Sequence, residues 1–430
     1  MATAAEIRPV QCEASNLPVQ AFPDPEFNLL VACCVRGSAE RICRILSGSL
    51  DWERMLVLVD HHRVVPQVYG ELSAFSHLVP AQHLDALGLR YQDNARKTLW
   101  FTGELVRILR HLEAAGVKAL PYKGPVLAKT LYGEVTRRQF CDLDVLILPA
   151  DILRAKAALL DLGYKPSLDL APGIEPNYIE TGCEYSFRST NGSNLLELQW
   201  RIVPRFYSID FDVAELCARA DEIIVGGHAV RTLRTEDLLL VLCVHAAKHL
   251  WVQLSWLCDI AQLVKCRPLD WNAIQDEVRR LGIERIVSLN LFLAHNLLDS
   301  PLPPPMQKVL FPQPNCHSER TEESAVARNR DNAGHSRQTR AFQDDPSTLL
   351  ADEILRIIER SAPYETESIP YFRLMLRLRE GWQDRARFLW RLAFTPSVNE
   401  WSAVQLPKPL QPLYRLVRLS RLAKRLASVR

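Results

Sequence analysis

Apolar residues recur at three- and four-residue spacing from Pro25 to about Ala115. FNLLVACCV, AERICRILSG, DWERMLVLVDHHRVVPQVYGEL and TLWFTGELVRILRHLEAAG all carry this helical pattern. Asp51 is placed to cap the third segment and Gly116 to stop the fourth. The pattern then changes. VKALPYKGPVLAKTLYGEVTRRQFCDLDVLIL, residues 117–148, reads as strand, glycine turn, helix, basic loop and strand. A helix over 149–162 ends at Gly163. Two strand-like runs, 182–189 and 194–203, flank Thr190-Asn191-Gly192-Ser193, a hairpin signal. A short hairpin over 221–234 turns at Gly226-Gly227. Thr235 is then placed to cap a long helix, EDLLLVLCVHAAKHLW, and further helices run to the proline-rich stop at 301–305. Helical spacing resumes at 349–360 and at about 369–393, and continues in the tail.

The expected class is mixed α+β, a core sheet flanked by helical N- and C-terminal regions. We divide the chain into a flexible arm (1–24), an N-terminal helical region (25–115), an α/β core (116–234), a helical region (235–311), an insertion (312–347) and a basic helical region (348–430). The insertion is polar, mixed in charge and almost without aromatics, a composition that predicts disorder.

Charge and cysteine usage narrow the picture. A net charge of +2 gives no global argument for nucleic acid. Eleven scattered cysteines without a C-x-x-C pair suggest neither a disulfide framework nor a cysteine zinc site. There is no secretory leader pattern and no run of about 18 apolar residues, so a cytoplasmic chain without a membrane span is expected.

The chemistry concentrates in 117–148. Asp142 and Asp144 lie two apart on a strand and therefore share a face. Two neighbouring anions repel and call for a cation; a hard divalent metal with oxygen ligands answers that need, often together with substrate phosphates. The Lys123-Gly124 turn precedes a helix with Pro125 in its first turn, a geometry suited to anions. Glu197 sits mid-strand opposite in facing to Leu196, Leu198 and Trp200, and is a candidate third carboxylate. The competing reading of all three is a plain β-α-β element with solvent-facing acids. His245, Lys248 and His249 share one helix face. Ala246 stands where a zinc-protease motif needs glutamate, so support of the neighbouring site, or an interhelical contact, is the better reading.

The tail QPLYRLVRLSRLAKRLASVR carries six basic residues and no acid. Three readings compete for it: packing on the body, a peripheral membrane helix, and a nucleic-acid contact.

Together, Lys123-Gly124, Arg138, Asp142-x-Asp144, Glu197-Leu-Gln199-Trp200, His245-Ala-Ala-Lys248-His249-x-Trp251 and Trp256-Leu-x-Asp259 resemble the bacterial uncharacterised nucleotidyltransferase family, within the DNA-polymerase-β-like superfamily. The resemblance covers about residues 30–300. It implies a polymerase-β-like core in which Asp142, Asp144 and Glu197 hold two Mg2+ (or Mn2+) ions. It also implies that Lys123, Gly124 and Arg138 meet an NTP, and that an NMP group passes to an acceptor hydroxyl. Gln199, His245, Lys248 and His249 would support the site. Small molecules, proteins and RNA ends share this donor chemistry, so the acceptor stays open. The family pattern has histidine where this chain has Gln199. That departure motivates the alternative: a catalytically impaired nucleotide-binding or interaction protein that retains the fold.

Overall fold

The computed structural model describes residues 22–303 and 346–427, except 169, 171–172, 190–194, 362–367, 398–399, 402–403 and 405. The sequence-based arm at 1–24 and insertion at 312–347 therefore fall almost wholly outside the described residues, as does the Thr190–Ser193 turn.

Five helices open the chain: α1 (Pro25–Cys33), α2 (Ala39–Leu46), α3 (Trp52–His62), α4 (Val65–Leu72) and α5 (Ala81–Ala114). Asp24 and Asp51 cap α1 and α3, accepting from the backbone N–H of Phe27 and Arg54 at 3.0 Å each. The expected single helix over residues 51–72 is two helices. Arg63 breaks it in the left-handed region (φ 55°). Pro66 has no N–H to give to His62, so continuation would leave that carbonyl unpaired.

The α/β unit follows: β1 (Ala119–Pro121), α6 (Gly124–Tyr132), β2 (Asp142–Ile147), α7 (Ile152–Asp161), β3 (Tyr164–Pro166), α8 (Glu175–Thr181), β4 (Glu184–Ser189), β5 (Leu195–Gln199) and α9 (Val213–Ala218). The strands form one mixed sheet in the order β1-β2-β5-β4-β3. Only β2 and β5 run parallel. A separate hairpin, β6 (Asp221–Val225) and β7 (His228–Thr232), turns at Gly226-Gly227 as expected. β3, α8 and α9 are too short to leave a periodic signal, and the sequence reading passed over them.

Alternation along β2 divides the sheet's two faces. Leu143, Val145 and Ile147 pack with Phe101, Leu105 and Ile108 of α5 and with Ile152 and Leu159 of α7. Leu146 faces the other way, into the larger core shared with α10 (Thr235–Lys248), α11 (Leu254–Cys266), α12 (Trp271–Leu281) and α13 (Glu284–Leu298). Thr235 is the first residue of α10 rather than its cap, and no side chain caps that helix. Between α10 and α11, Leu250 and Trp251 both take positive φ (58° and 53°). Such strain persists only when packing fixes it. Trp251 is fully buried and donates its indole N–H to Asn290 at 2.7 Å.

The C-terminal helices are α14 (Pro346–Arg360), α15 (Ile369–Arg377), α16 (Trp382–Phe394) and α17 (Tyr414–Ala427). Gly381 divides what the spacing suggested was one helix over 369–393. α17 packs on the body through Tyr414 and Arg418, both buried, and Arg418 and Arg421 pair with the buried Glu400. Among the described residues no helix is long and apolar enough to cross a membrane.

One buried ion pair joins sheet to helices. Arg138, in the loop before β2, meets both carboxylate oxygens of Asp259 on α11 (3.1 and 3.0 Å), and Tyr132 donates to the same carboxylate at 2.9 Å. Asp259→Ala leaves Arg138 buried without its counter-charge. We expect it to cost about 3–5 kcal/mol of unfolding free energy. Urea denaturation checks this, and a loss under 1 kcal/mol would mean that the pair behaves as an exposed one.

Candidate active site

Register places the acids. Asp144 lies directly opposite Glu197 on the parallel neighbour β5, and Asp142 opposite Leu195. Asp142 and Asp144 share a face by alternation, as do Leu195, Glu197 and Gln199. Antiparallel pairing then sets Glu184 of β4 beside Gln199. All four carboxylates line one cleft of about 430 Å³.

Glu184 was missed in the sequence. It reads as an ordinary alternating strand residue, and only the β4–β5 register brings it to the acids. Pairing the two strands around Asn191-Gly192 offered the one available signal, because a two-residue hairpin turn sets the register of its strands.

The acids are neutralised from within. Lys123 donates to Asp144 Oδ1 at 3.0 Å. Burial opposes the charge on Lys123, but Asp144, Asp142 and Glu197 more than offset it, and its pKa is raised. Gln199 is the uncharged hub. Its Oε1 accepts from Tyr122 Oη at 2.5 Å, which turns Nε2 toward Glu197 (3.1 Å), Asp144 (3.2 Å) and Glu184 (3.4 Å). Burial, then repulsion from Glu184 and Asp144, pushes the Glu197 carboxyl up to about 8. Burial, then Asp144, also raises Asp142. Without a further cation, burial and repulsion therefore favour the protonated form of Glu197 and shift Asp142 in the same direction.

A divalent ion would relieve the same repulsion, and the oxygen-only donor set suits Mg2+ or Mn2+. Among the described residues no three His, Cys, Asp or Glu side chains already form a cage. Mg2+ does not require one, since it commonly takes one or two carboxylates and completes its shell with water and phosphate oxygens. The residues fit the ion in charge and in donor chemistry.

The opposite wall comes from α10 and α11. His245, His249 and Trp256 form an aromatic cluster, with ring centroids 4.6 and 5.3 Å apart. Burial, followed by nearby cations that include Lys123 and Lys248, drives both histidines well below their usual pKa. They are neutral at physiological pH. Lys248 lines the same cleft.

Arg138 and Gly124 are already engaged within the protein. Arg138 lines the cleft, but its guanidinium is held by Asp259 rather than presented to a phosphate. Gly124 takes φ +56°, and a Cβ there would sit 3.3 Å from the Asp142 carbonyl oxygen. Its demand for glycine thus comes from the turn packing against β2. Of the four Lys and Arg side chains in the cleft, Lys123 and Arg138 are ion-paired. Lys248 and Arg63 form no ion pair among the described residues. Arg63 was not anticipated, because its left-handed backbone arises only where α3 breaks.

A family model, described as uncharacterised nucleotidyltransferase, matches residues 48–299 and so takes in the whole sheet and both walls of the cleft. No curated protein and no solved structure matches the chain. The family match spans more than half of the sequence, and the chain belongs to the uncharacterised nucleotidyltransferase family.

Proposed function

We propose that the cleft binds an NTP with divalent metal and transfers its NMP group to an acceptor hydroxyl. The observation that carries this reading is the register of Asp144 against Glu197, with Asp142 on the same face. Asp142, Asp144 and Glu197 would hold Mg2+ or Mn2+. Such ions, when bound, stabilise the entering and leaving oxygens of an in-line displacement. Lys248 and Arg63, the cations without a carboxylate partner, are available to the triphosphate. Lys123 and Gln199 hold the acids in position, and Tyr122 fixes which way the amide points. His245 and His249, neutral and packed edge-on and tilted against Trp256, offer an aromatic wall that adds no charge.

The alternative is a fold-retaining chain that binds nucleotide without turnover, motivated by Gln199. The hydrogen bonds around Gln199 favour the active reading. The amide accepts from Tyr122 and donates to the acids, and a neutral imidazole also offers one acceptor and one donor.

Purified chain incubated with α-labelled ATP, CTP, GTP or UTP plus Mg2+ or Mn2+ should release pyrophosphate and label an acceptor from a cell extract. Chelation should stop it, and Asp142→Asn with Asp144→Asn should lower the rate by 10³-fold or more, roughly the scale of losing transition-state charge stabilisation. Nucleotide binding with no label transfer under any pairing would favour the alternative; absence of both binding and metal dependence would remove the proposal.

Lys248→Ala should raise the KM for NTP about tenfold to a hundredfold, since one charge-assisted hydrogen bond contributes about 1.5–3 kcal/mol. Steady-state kinetics over a range of NTP concentration reads this out. An unchanged KM would take Lys248 out of the nucleotide site. Gln199→His should keep activity, whereas Gln199→Leu, which leaves Tyr122 and the acids without their shared partner, should lose most of it. The same assay separates the two.

A further inference from the structure

The tail helix α17 turns its buried residues inward, yet a different helix leaves a large apolar face outside. On α16, Trp382 is 76% exposed, Trp390 66% and Leu389 49%. At 100° per residue these three and Ala386 fall on one stripe, flanked by Arg385 on one side and Arg387 on the other. Phe388 and Leu392, on the far side, supply the packing that holds the helix to the body. The stripe continues onto α17. Trp390 and Phe394 line a cleft of about 960 Å³ together with Arg415 and Leu416, and Leu416 is 58% exposed.

Two exposed tryptophans and two exposed leucines in one region are more apolar surface than solubility calls for. The charge around them is mainly positive, although Glu180 lines the same cleft and Asp210 pairs with Arg391. Residues 369–430 contain thirteen Lys and Arg against three Asp and Glu, while the whole chain carries only +2. Glu400 is already taken by Arg418 and Arg421, and Asp384 lies 3.6 Å from Arg387. This combination narrows the occupant. A second copy would set this positive surface against itself. A single-stranded nucleic acid would use the arginines and stack on the indoles, but it gives Leu389 and Leu416 nothing to contact. An anionic lipid surface uses every part: indoles and leucines enter the headgroup–acyl boundary, and the flanking arginines meet the phosphates.

We infer that the α16–α17 face is a docking surface for anionic membranes, a role separate from the cleft between the sheet and α10. The proposed nucleotidyl-transfer site would then work at a lipid surface.

The test is co-sedimentation of the full chain with vesicles. Phosphatidylcholine vesicles containing about 30 mol% phosphatidylserine should pellet the chain, pure phosphatidylcholine should not, and salt should weaken the association. Trp382→Ser with Trp390→Ser should lower the partition coefficient about tenfold or more. Arg385→Gln with Arg387→Gln should lower it about fivefold per arginine. All four positions are outside the acidic cleft, so NTP binding and the circular dichroism spectrum should be unchanged. A chain that stays in the supernatant with anionic vesicles at low salt overturns the proposal. So does equal binding by the tryptophan variant. Tryptophan-dependent binding of a single-stranded RNA oligonucleotide without vesicle binding would assign the face to nucleic acid. A tryptophan-dependent dimer in light scattering would assign it to a second copy.

Discussion

Four carboxylates on three adjacent strands set the terms for everything around them. Neighbouring strands stand about 4.8 Å apart, and two unit charges at that distance in a partly buried site repel by roughly 3 kcal/mol. The sheet tolerates this because Asp144, Glu184 and Glu197 share partners and burial favours a proton on Glu197. Lys123 takes Asp144, Gln199 spans Asp144, Glu184 and Glu197, and Glu197 is raised to about 8. Gly124 fits the same arrangement. Its left-handed turn lets the helix after β1 close against β2 at the residue that begins the acidic run.

The helical body is needed to make that arrangement a cleft. A sheet face alone would leave the acids in open water, where screening would remove most of their influence. Arg138 and Asp259 tie the loop before β2 to α11, and the strained Leu250-Trp251 turn, anchored by Asn290, brings α10 and α11 to the opposite wall. The wall's histidines are neutral for the reason that Lys123 stays charged. Burial and the surrounding cations disfavour a proton on imidazole, while the carboxylates favour one on the amine.

What the sequence showed depended on range. Asp142 and Asp144 share a face by strict alternation, and Asp51 caps its helix through bonds three residues long; both were legible. Glu197 could be named as a carboxylate on a nearby strand because its own alternation with Leu196 and Leu198 was clear. Its alignment with Asp144 rests on parallel pairing across more than fifty residues of chain, which no local pattern encodes. The hairpin signal could set Glu184 beside Gln199, but its approach to the aspartates rests on the same long-range β2–β5 pairing. The breaks at Arg63 and Gly381 were hidden differently: the apolar spacing runs through both, and the backbone signals, Pro66 and Gly381, were outweighed by it.

The hardest property to read is whether a cation is occupied. Lys123, Arg138, Lys248 and Arg63 all read simply as positive residues in the sequence, and it was the family resemblance that put Lys123 and Arg138 at a triphosphate. In space those two are the ones already neutralised, by Asp144 and Asp259. A cation that has a buried carboxylate partner must give up that interaction before it can serve a phosphate, and the acid left behind would be buried without its counter-charge. Lys248 and Arg63 have no such partner to lose among the described residues. On the proposed function, the cost of rearrangement therefore favours Lys248 and Arg63 over the paired cations for an incoming anion. It also gives the resident pair a structural duty: they keep the acids and the α11 wall in place before any substrate arrives.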